Sequence, residues 1–322
     1  MKVIIPDDYQ DAVRRLNCFA KLKEHDVIIY NDTVKDLDAL AERFADAEAL
    51  ILIRERTRIT GALLERLPKL RLISQTGAGF ASHIDLAACT RRKVAVAAGG
   101  RGTHSTAELT WGLIFSVLRH IPHEVQGMKA GNWQTTVGTD VHGKTLGVYA
   151  YGNIGSQVAL AGKAFGMRVL AWGREGSAAR ARADGVAVAK SREDLFEVSD
   201  VLSLHIRLTG ETRGIVTAAD LARMKPTAVL INTSRAGLIE EGALVAALRA
   251  GRPGFAGVDV YEEEPVLGAD HPLLHMENVV CTPHLGYVTW ETFEAYLGQA
   301  FDRVNAFAAG RPVDVQNPEV LA

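Results

Sequence analysis

The chain has 322 residues, 48% hydrophobic and 23% charged, with a formal net charge of −2. At roughly 150 residues per domain this suggests about two domains, with enough core to need no staple, and it lacks the Lys and Arg surplus that non-specific nucleic-acid binding requires. Three cysteines without CxxC spacing argue against a disulfide framework or structural zinc and fit a reducing cytoplasm, and no apolar stretch approaches the roughly 20 residues of a membrane span.

In chain order, short apolar runs alternate with longer amphipathic stretches. Strands are predicted over 3–6, 27–30, 49–54, 72–76 and 94–98, and again over 146–151, 168–172, 201–206, 228–233, 255–261 and 278–281. Most are continuous Val/Ile/Leu/Ala blocks, the pattern of strands buried on both faces of a parallel sheet. Between them, 36–45 places Leu37, Leu40, Ala41 and Phe44 on one helical face, and 103–119 carries Ala107, Trp111, Ile114 and Leu118 at helical spacing. Repeated βα units predict an α/β fold of doubly wound parallel sheets, and the strands are too many for one sheet. Seams are expected at the glycine cluster 98–102 and near 284–287, ahead of a helix over 289–307. The chain would then return to its first domain, 1–100 plus 290–322, around a second domain of 101–289. The tail, 311–322, reads as extended coil with two prolines. The N-terminus is charged after a very short apolar run and does not read as a signal peptide.

The stretch 146–155, LGVYAYGNIG, is a strand running into a glycine turn, followed by a helix with Val158, Ala159 and Ala161 to pack. It is nearly GxGxxG, with Ala150 at the first glycine position. Gly152 would let the backbone approach a pyrophosphate, Gly155 would let the helix pack on the strand, and the helix N-terminus would face the phosphates. A merely tight βα turn is the plain alternative. Context favours a dinucleotide, because strand, turn, helix and second strand form one βαβ unit. The next strand ends in Trp172, Gly173, Arg174 and Glu175. An acid there would bind the ribose of NAD and an arginine the extra phosphate of NADP. Gly173 stands where the acid is expected, so Arg174 inclines the reading to NADP, while Glu175 keeps NAD open.

Three polar groups follow successive apolar runs: Arg235, Glu264 and His284. Ligands bind at such strand ends in open α/β sheets. Singly, each has a dull explanation as a cap, a solvated turn or a structural histidine. Together, downstream of a nucleotide loop, they suggest a site. No metal-ligand spacing accompanies them.

The motifs GKTLG at 143–147, the glycine turn, Leu204-His205, NTSRAG at 232–237, Asp259-Val260-Tyr261 leading to Glu264-Pro265, and Thr282-Pro283-His284 occur in this order. Upstream stand SQTGAG at 74–79 and Thr106-Ala107-Glu108. On these segments the chain resembles the D-isomer-specific 2-hydroxyacid dehydrogenases, over its whole length. The resemblance implies a Rossmann cofactor domain inserted into a discontinuous flavodoxin-like substrate domain. It implies catalytic roles for Arg235, Glu264 and His284, and cofactor contacts at Asn153, Ile154, Thr233, Asp259, Gly286 and Thr106. Substrate contacts are implied from Thr76, Gly77, Ala78 and Gly79, and Arg54 and Arg56 become candidates. It further implies a homodimer, through roughly 103–141. Four departures stand out: Ala150 for the first glycine, Arg207 where proline is usual, Gly173 for the usual aspartate, and an unusually glycine-rich crossing at Gly99-Gly100-Arg101-Gly102.

In that reading a hydride passes between a nicotinamide cofactor and C2 of a small D-2-hydroxy or 2-keto acid, of 3-phosphoglycerate, hydroxypyruvate or glyoxylate type. Arg235 suits the carboxylate anchor, because its planar fork matches carboxylate and carbonyl oxygens. His284 suits the proton relay, and Glu264 would orient its ring. Asp259 would orient the nicotinamide amide. His83, His104 and His205 read as structural, Cys281 as a buried strand residue, and Trp111 and Trp133 as core or dimer packing. A cofactor-sensing co-repressor-like scaffold, and a formate- or phosphite-type dehydrogenase, are the competing readings.

Overall fold

The computed structural model describes residues 1–100 and 104–321. Arg101 and Gly102 of the expected first seam, and Thr103 at the start of the predicted helix, lie outside the described residues. The chain divides into two compact units, Met1–Thr103 with Tyr287–Ala322, and His104–Gly286.

The first unit is a five-stranded sheet of β1 (Lys2–Ile5), β2 (Asp26–Ile29), β3 (Ala49–Leu52), β4 (Leu72–Thr76) and β5 (Ala95–Gly99). Its order is β2-β1-β3-β4-β5 and every pairing is parallel. Successive strand residues point to opposite faces, so the sheet has two cores. On one face Val3, Ile5 and Ile51 meet Phe293, Leu297, Phe301 and Val304 of the C-terminal helix, Trp290–Ala308. On the other, Ile4, Leu50, Leu52 and Ile73 meet α1 (Leu37–Phe44), α2 (Gly61–Glu65) and α3 (Leu86–Arg91) through Phe44, Leu63 and Ala88. Each large aliphatic side chain buried this way contributes about 1.5–3 kcal/mol. These helices start where a side chain satisfies an orphan N–H: Asp36, Thr60, Asp85 and Thr289 each accept from the backbone N–H three residues on.

The tail departs from the expected extended coil. Val315 bridges Ala97 in antiparallel sense, and Pro318–Leu321 closes a 3-10 turn. The buried Asn317 amide accepts from Val96 N at 2.9 Å and donates to the Val94 carbonyl at 2.9 Å. One side-chain amide thus substitutes for a neighbouring strand and covers the sheet edge at β5.

The second unit is a seven-stranded parallel sheet of β6 (Thr145–Tyr149), β7 (Arg168–Trp172), β8 (Ala187–Val188), β9 (Val201–Leu204), β10 (Val229–Asn232), β11 (Phe255–Val258) and β12 (Val279–Cys281). The order β12-β11-β10-β9-β6-β7-β8 turns back between β6 and β9, the point where such sheets open a crevice at their carboxyl ends. The two-residue β8 has too short an apolar run to be read from sequence. The helices are α4 (Ser105–Leu118), α5 (Ile121–Lys129), α6 (Asn153–Ala164), α7 (Glu175–Ala183), α8 (Arg192–Val198), α9 (Ala218–Arg223) and α10 (Ala243–Arg249). Trp111, Ile114 and Leu118 of α4 pack on Leu146, Val148 and Val158. Leu202, Leu230 and Val258 face Phe196, Leu221 and Leu244 on the opposite side. Trp111 is core, whereas Trp133 is 72% exposed and is not.

Candidate active site

At the end of β6 the chain turns through Ala150 at φ +75°, the conformation a glycine takes there in the dinucleotide fingerprint. A Cβ on Gly155 would strike the Ala150 carbonyl oxygen, so this glycine is required for α6 to approach the strand. A Cβ on Gly152 would meet nothing within 4 Å. Gly152 caps α6 without any side-chain hydrogen bond, leaving the N–H groups of a 12-residue helix to face an anion. Asn153 begins the first turn, where its Oδ1 accepts from Arg180 at 3.2 Å, and Ile154 packs against the core. Ser177 on α7, a residue sequence reasoning passed over, accepts from Tyr151 N at 2.5 Å and pins the turn. These features suit a dinucleotide pyrophosphate.

At the end of β7, a Cβ on Gly173 would lie 2.8 Å from Ser177 Oγ and 3.4 Å from Ala150 Cα. The same turn that exposes the α6 N-terminus therefore leaves little room for an acidic side chain at this position. Arg174 caps α7 and its Nη2 meets Glu211 Oε2 at 2.8 Å, an exposed pair. Glu175 is held by Arg182 at 2.9 Å.

The three chemistry-bearing residues follow β10, β11 and β12. The buried Asn232 shapes the Arg235 turn: its Nδ2 donates to the Arg235 carbonyl at 3.0 Å and its Oδ1 accepts from Ser234 N at 3.0 Å. The Arg235 guanidinium donates to the Ser234 carbonyl at 2.7 Å. His284 Nδ1 lies 2.5 Å from Glu264 Oε2, while Glu264 Oε1 accepts from Tyr261 N at 3.0 Å. Burial raises the Glu264 carboxyl, but the hydrogen bond and charge of His284, the Tyr261 N–H and the charge of Arg235 outweigh it and hold it below the usual carboxylate range. His284 itself sits at φ +53°.

That backbone turn is organised by Asp259. Its fully buried carboxylate accepts from Thr282 Oγ1 at 2.6 Å, Leu285 N at 2.7 Å and Gly286 N at 2.9 Å. Burial raises its carboxyl despite these donors. Thr106 Oγ1 and Ser105 Oγ donate to the Gly286 carbonyl at 2.7 Å and 2.9 Å, and Thr233 Oγ1 is 2.9 Å from Thr110 Oγ1. Asp259, Gly286 and Thr106 thus form one scaffold around the His284 loop. This supporting role was hidden from sequence reasoning. His205, at the end of β9, has Nε2 2.9 Å from Ser203 Oγ and a buried Nδ1 with no partner, and burial lowers its pKa to about 4. Among the described residues no cluster of ligands could hold a metal ion.

The candidate substrate residues belong to the first unit. Thr76 Oγ1 donates to the Leu52 carbonyl at 2.9 Å and accepts from Arg54 N at 2.8 Å, so its hydroxyl is structural. A Cβ on Gly77 would strike Arg54 Nη1, which brings the guanidinium directly over the Gly77–Gly79 loop. Arg54 lies 5.5 Å and 5.6 Å from the Tyr287 and Tyr296 ring centres. Ala78 continues the same loop between the two glycines.

Residues 111–286 match the model of the D-isomer specific 2-hydroxyacid dehydrogenase, NAD binding domain. The chain is 38% identical over 295 residues to a glyoxylate reductase of Aeropyrum pernix, covering 88% of this chain and 87% of the relative. It is 35% identical to a D-3-phosphoglycerate dehydrogenase of Methanocaldococcus jannaschii, covering 92% of this chain and 55% of the relative. The chain thus spans about half the length of that phosphoglycerate dehydrogenase. Among solved structures, one from Ralstonia solanacearum, provisionally described as a D-3-phosphoglycerate dehydrogenase oxidoreductase, superposes with a TM-score of 0.97 at 53% identity over 100% of this chain and 98% of that one. The D-lactate dehydrogenase of Escherichia coli, in its apo form, gives 0.83 at 26% identity over 98% and 100%. The chain, with its two parallel sheets, its glycine turn and its Glu264–His284 pair, is an oxidoreductase that belongs to the D-isomer-specific 2-hydroxyacid dehydrogenase family.

Proposed function

We propose that this chain interconverts a small 2-keto acid, of hydroxypyruvate, phosphohydroxypyruvate or glyoxylate type, with its D-2-hydroxy acid. The observation that carries this reading is the 2.5 Å bond between His284 Nδ1 and Glu264 at the carboxyl ends of β11 and β12. When bound, a nicotinamide cofactor supplies or accepts the hydride at C2. Gly152, Asn153, Ile154 and Gly155 would hold its pyrophosphate at the α6 N-terminus, and Asp259, Gly286, Thr106 and Thr233 would serve its nicotinamide end. Because Glu264 holds Nδ1, His284 exchanges a proton with the C2 oxygen through Nε2. Arg235 steadies the substrate carboxylate and the charge growing on the carbonyl oxygen. Arg54 and the Thr76–Gly79 loop serve substrate binding.

NADP is the favoured cofactor. Gly173 brings no carboxylate to repel a 2′-phosphate, and Arg174 stands beside it on an exposed arm. We assign 1–100 with 290–322 to substrate and 101–289 to cofactor, a reading supported by the family model on 111–286. The apolar face of α5 and its following segment, with Val125 at 45%, Met128 at 59% and Trp133 at 72% exposure, supports a homodimer. No helix among the described residues is long and apolar enough to cross a membrane. The three free cysteines suit a cytoplasmic setting, and the near-neutral charge argues against nucleic acid as a partner.

The test is cofactor oxidation with glyoxylate, hydroxypyruvate, phosphohydroxypyruvate and pyruvate, each with NADH and NADPH. Turnover of at least one acid is expected, faster with NADPH. Cofactor binding without turnover of any acid would favour the co-repressor-like scaffold instead.

A further inference from the structure

Tyr261 reaches both sides of the Glu264–His284 pair. Its N–H donates to Glu264 Oε1 at 3.0 Å, while Oε2 of the same carboxylate faces His284. Its phenol hydroxyl donates to the Thr282 carbonyl at 3.0 Å. The N–H of His284 donates to that same carbonyl at 3.0 Å, closing a three-residue turn over Pro283. The turn presents His284 at φ +53°, a left-handed conformation that a residue other than glycine adopts at a cost. Asp259 holds the far side of this turn through Leu285 N and Gly286 N. Tyr261 holds the near side, and the carboxylate with it. The Tyr261 side chain is itself fixed. It is buried, and the His271 ring lies edge-on to it with centroids 5.0 Å apart, while His271 Nε2 is 3.0 Å from Glu262 Oε2. Burial, and then Cys281, pushes the phenol pKa up, so the hydroxyl keeps its proton and stays a donor.

We infer that Tyr261 is a positioning residue for the proton relay: its N–H and its hydroxyl set where the Glu264 carboxylate and the His284 ring meet. This rests on the function proposed above and adds to its machinery a residue that acts through the pair. A carboxylate and an imidazole on separate loops can drift apart, and a displacement of about 1 Å at a reacting centre is costly in rate. One rigid ring bonded to both loops makes them move together. The effect belongs to kcat rather than to binding, because the hydrogen bonds of Tyr261 go to the relay's own carboxylate and turn.

The experiment measures kcat, KM and Tm with NADPH and the best-used of the four acids, for wild type, Tyr261→Phe, His284→Ala and the double variant. Tyr261→Phe keeps the ring and the N–H and loses only the hydroxyl. It should lower kcat about tenfold, with KM for acid and cofactor unchanged. On the residual turnover of His284→Ala the same substitution should have no further effect, because Tyr261 acts through His284. An unchanged kcat in folded Tyr261→Phe, or an equal loss in the His284→Ala background, would overturn the inference while leaving the dehydrogenase reading intact. Should Tyr261→Phe not fold, Tyr261→Met removes the donor with an adaptable apolar side chain and is read in the same way. Loss of folding in both would assign Tyr261 to stability instead. Failure of wild type to reduce any of the four acids would overturn the proposed function, and this inference with it.

Discussion

His284 Nδ1 and Glu264 Oε2 lie 2.5 Å apart, and in the function proposed above that contact leaves Nε2 to meet substrate. His284→Ala should therefore lower kcat by about 10²–10⁴-fold while cofactor still binds, as fluorescence titration can check. Arg235→Lys keeps the charge and loses the fork. It should reduce kcat/KM by about 10²-fold or more, and an unchanged value would contradict the anchor role. The Glu264 carboxyl is held below its ordinary value of 4.5, so protonation favours the unfolded chain. Its stabilisation is complete above that pH and is lost as pH falls through the lower folded value. Denaturant titrations should find Glu264→Gln less stable than wild type at neutral pH, with the gap closing below pH 4.5. His205 obeys the opposite chemistry with the same direction in pH. Its folded pKa of about 4, against an ordinary 6.5, means that the unfolded chain takes the proton first. Wild-type stability should fall as pH drops from 6.5 toward 4, and His205→Asn should lose that component.

At the scale of elements, the β6–turn–α6 unit separates packing from binding within four residues. Gly155→Ala drives a methyl into the Ala150 carbonyl and the Val148 side chain. It should cost about 1–3 kcal/mol, seen as a lower Tm. Gly152→Val adds bulk into open space above the helix N-terminus. It should weaken cofactor binding with little change in Tm, so the two variants together test whether this turn holds a pyrophosphate. The element pattern itself was largely legible. Buried parallel strands write themselves as continuous Val, Ile and Leu blocks, and β4 and β7 fall on their predicted spans. The strands after 201, 228 and 255 end one to three residues early because their last residues leave the sheet for the candidate site: Thr233 and Asp259 lie just past β10 and β11.

At the scale of the whole molecule, Val125, Met128 and Trp133 leave α5 and the segment after it with exposed apolar side chains. If this surface is a homodimer interface, Val125→Glu with Met128→Glu should shift the sedimenting species toward half the mass, and an unaltered profile would oppose that assignment. The strand orders β2-β1-β3-β4-β5 and β12-β11-β10-β9-β6-β7-β8 both begin inside the sheet and wind out to its two edges, the doubly wound arrangement that alternating βα runs predicted.

The sequence by itself determined the fold class and the glycine turn, and it placed Arg235, Glu264 and His284 after successive strands, because burial periodicity and strand-end position are local properties of the chain. Only the tertiary structure decided what the remaining polar groups do. Thr233 meets Thr110 from 123 residues away, Asp259 holds the backbone at 285–286, and Asn317 completes β5 from 221 residues away. Arg56 is withdrawn onto Tyr287, 231 residues distant. A buried hydrogen-bonding group must find a partner, but which partner depends on what the packed sheets bring within about 3 Å, and no local pattern encodes that distance.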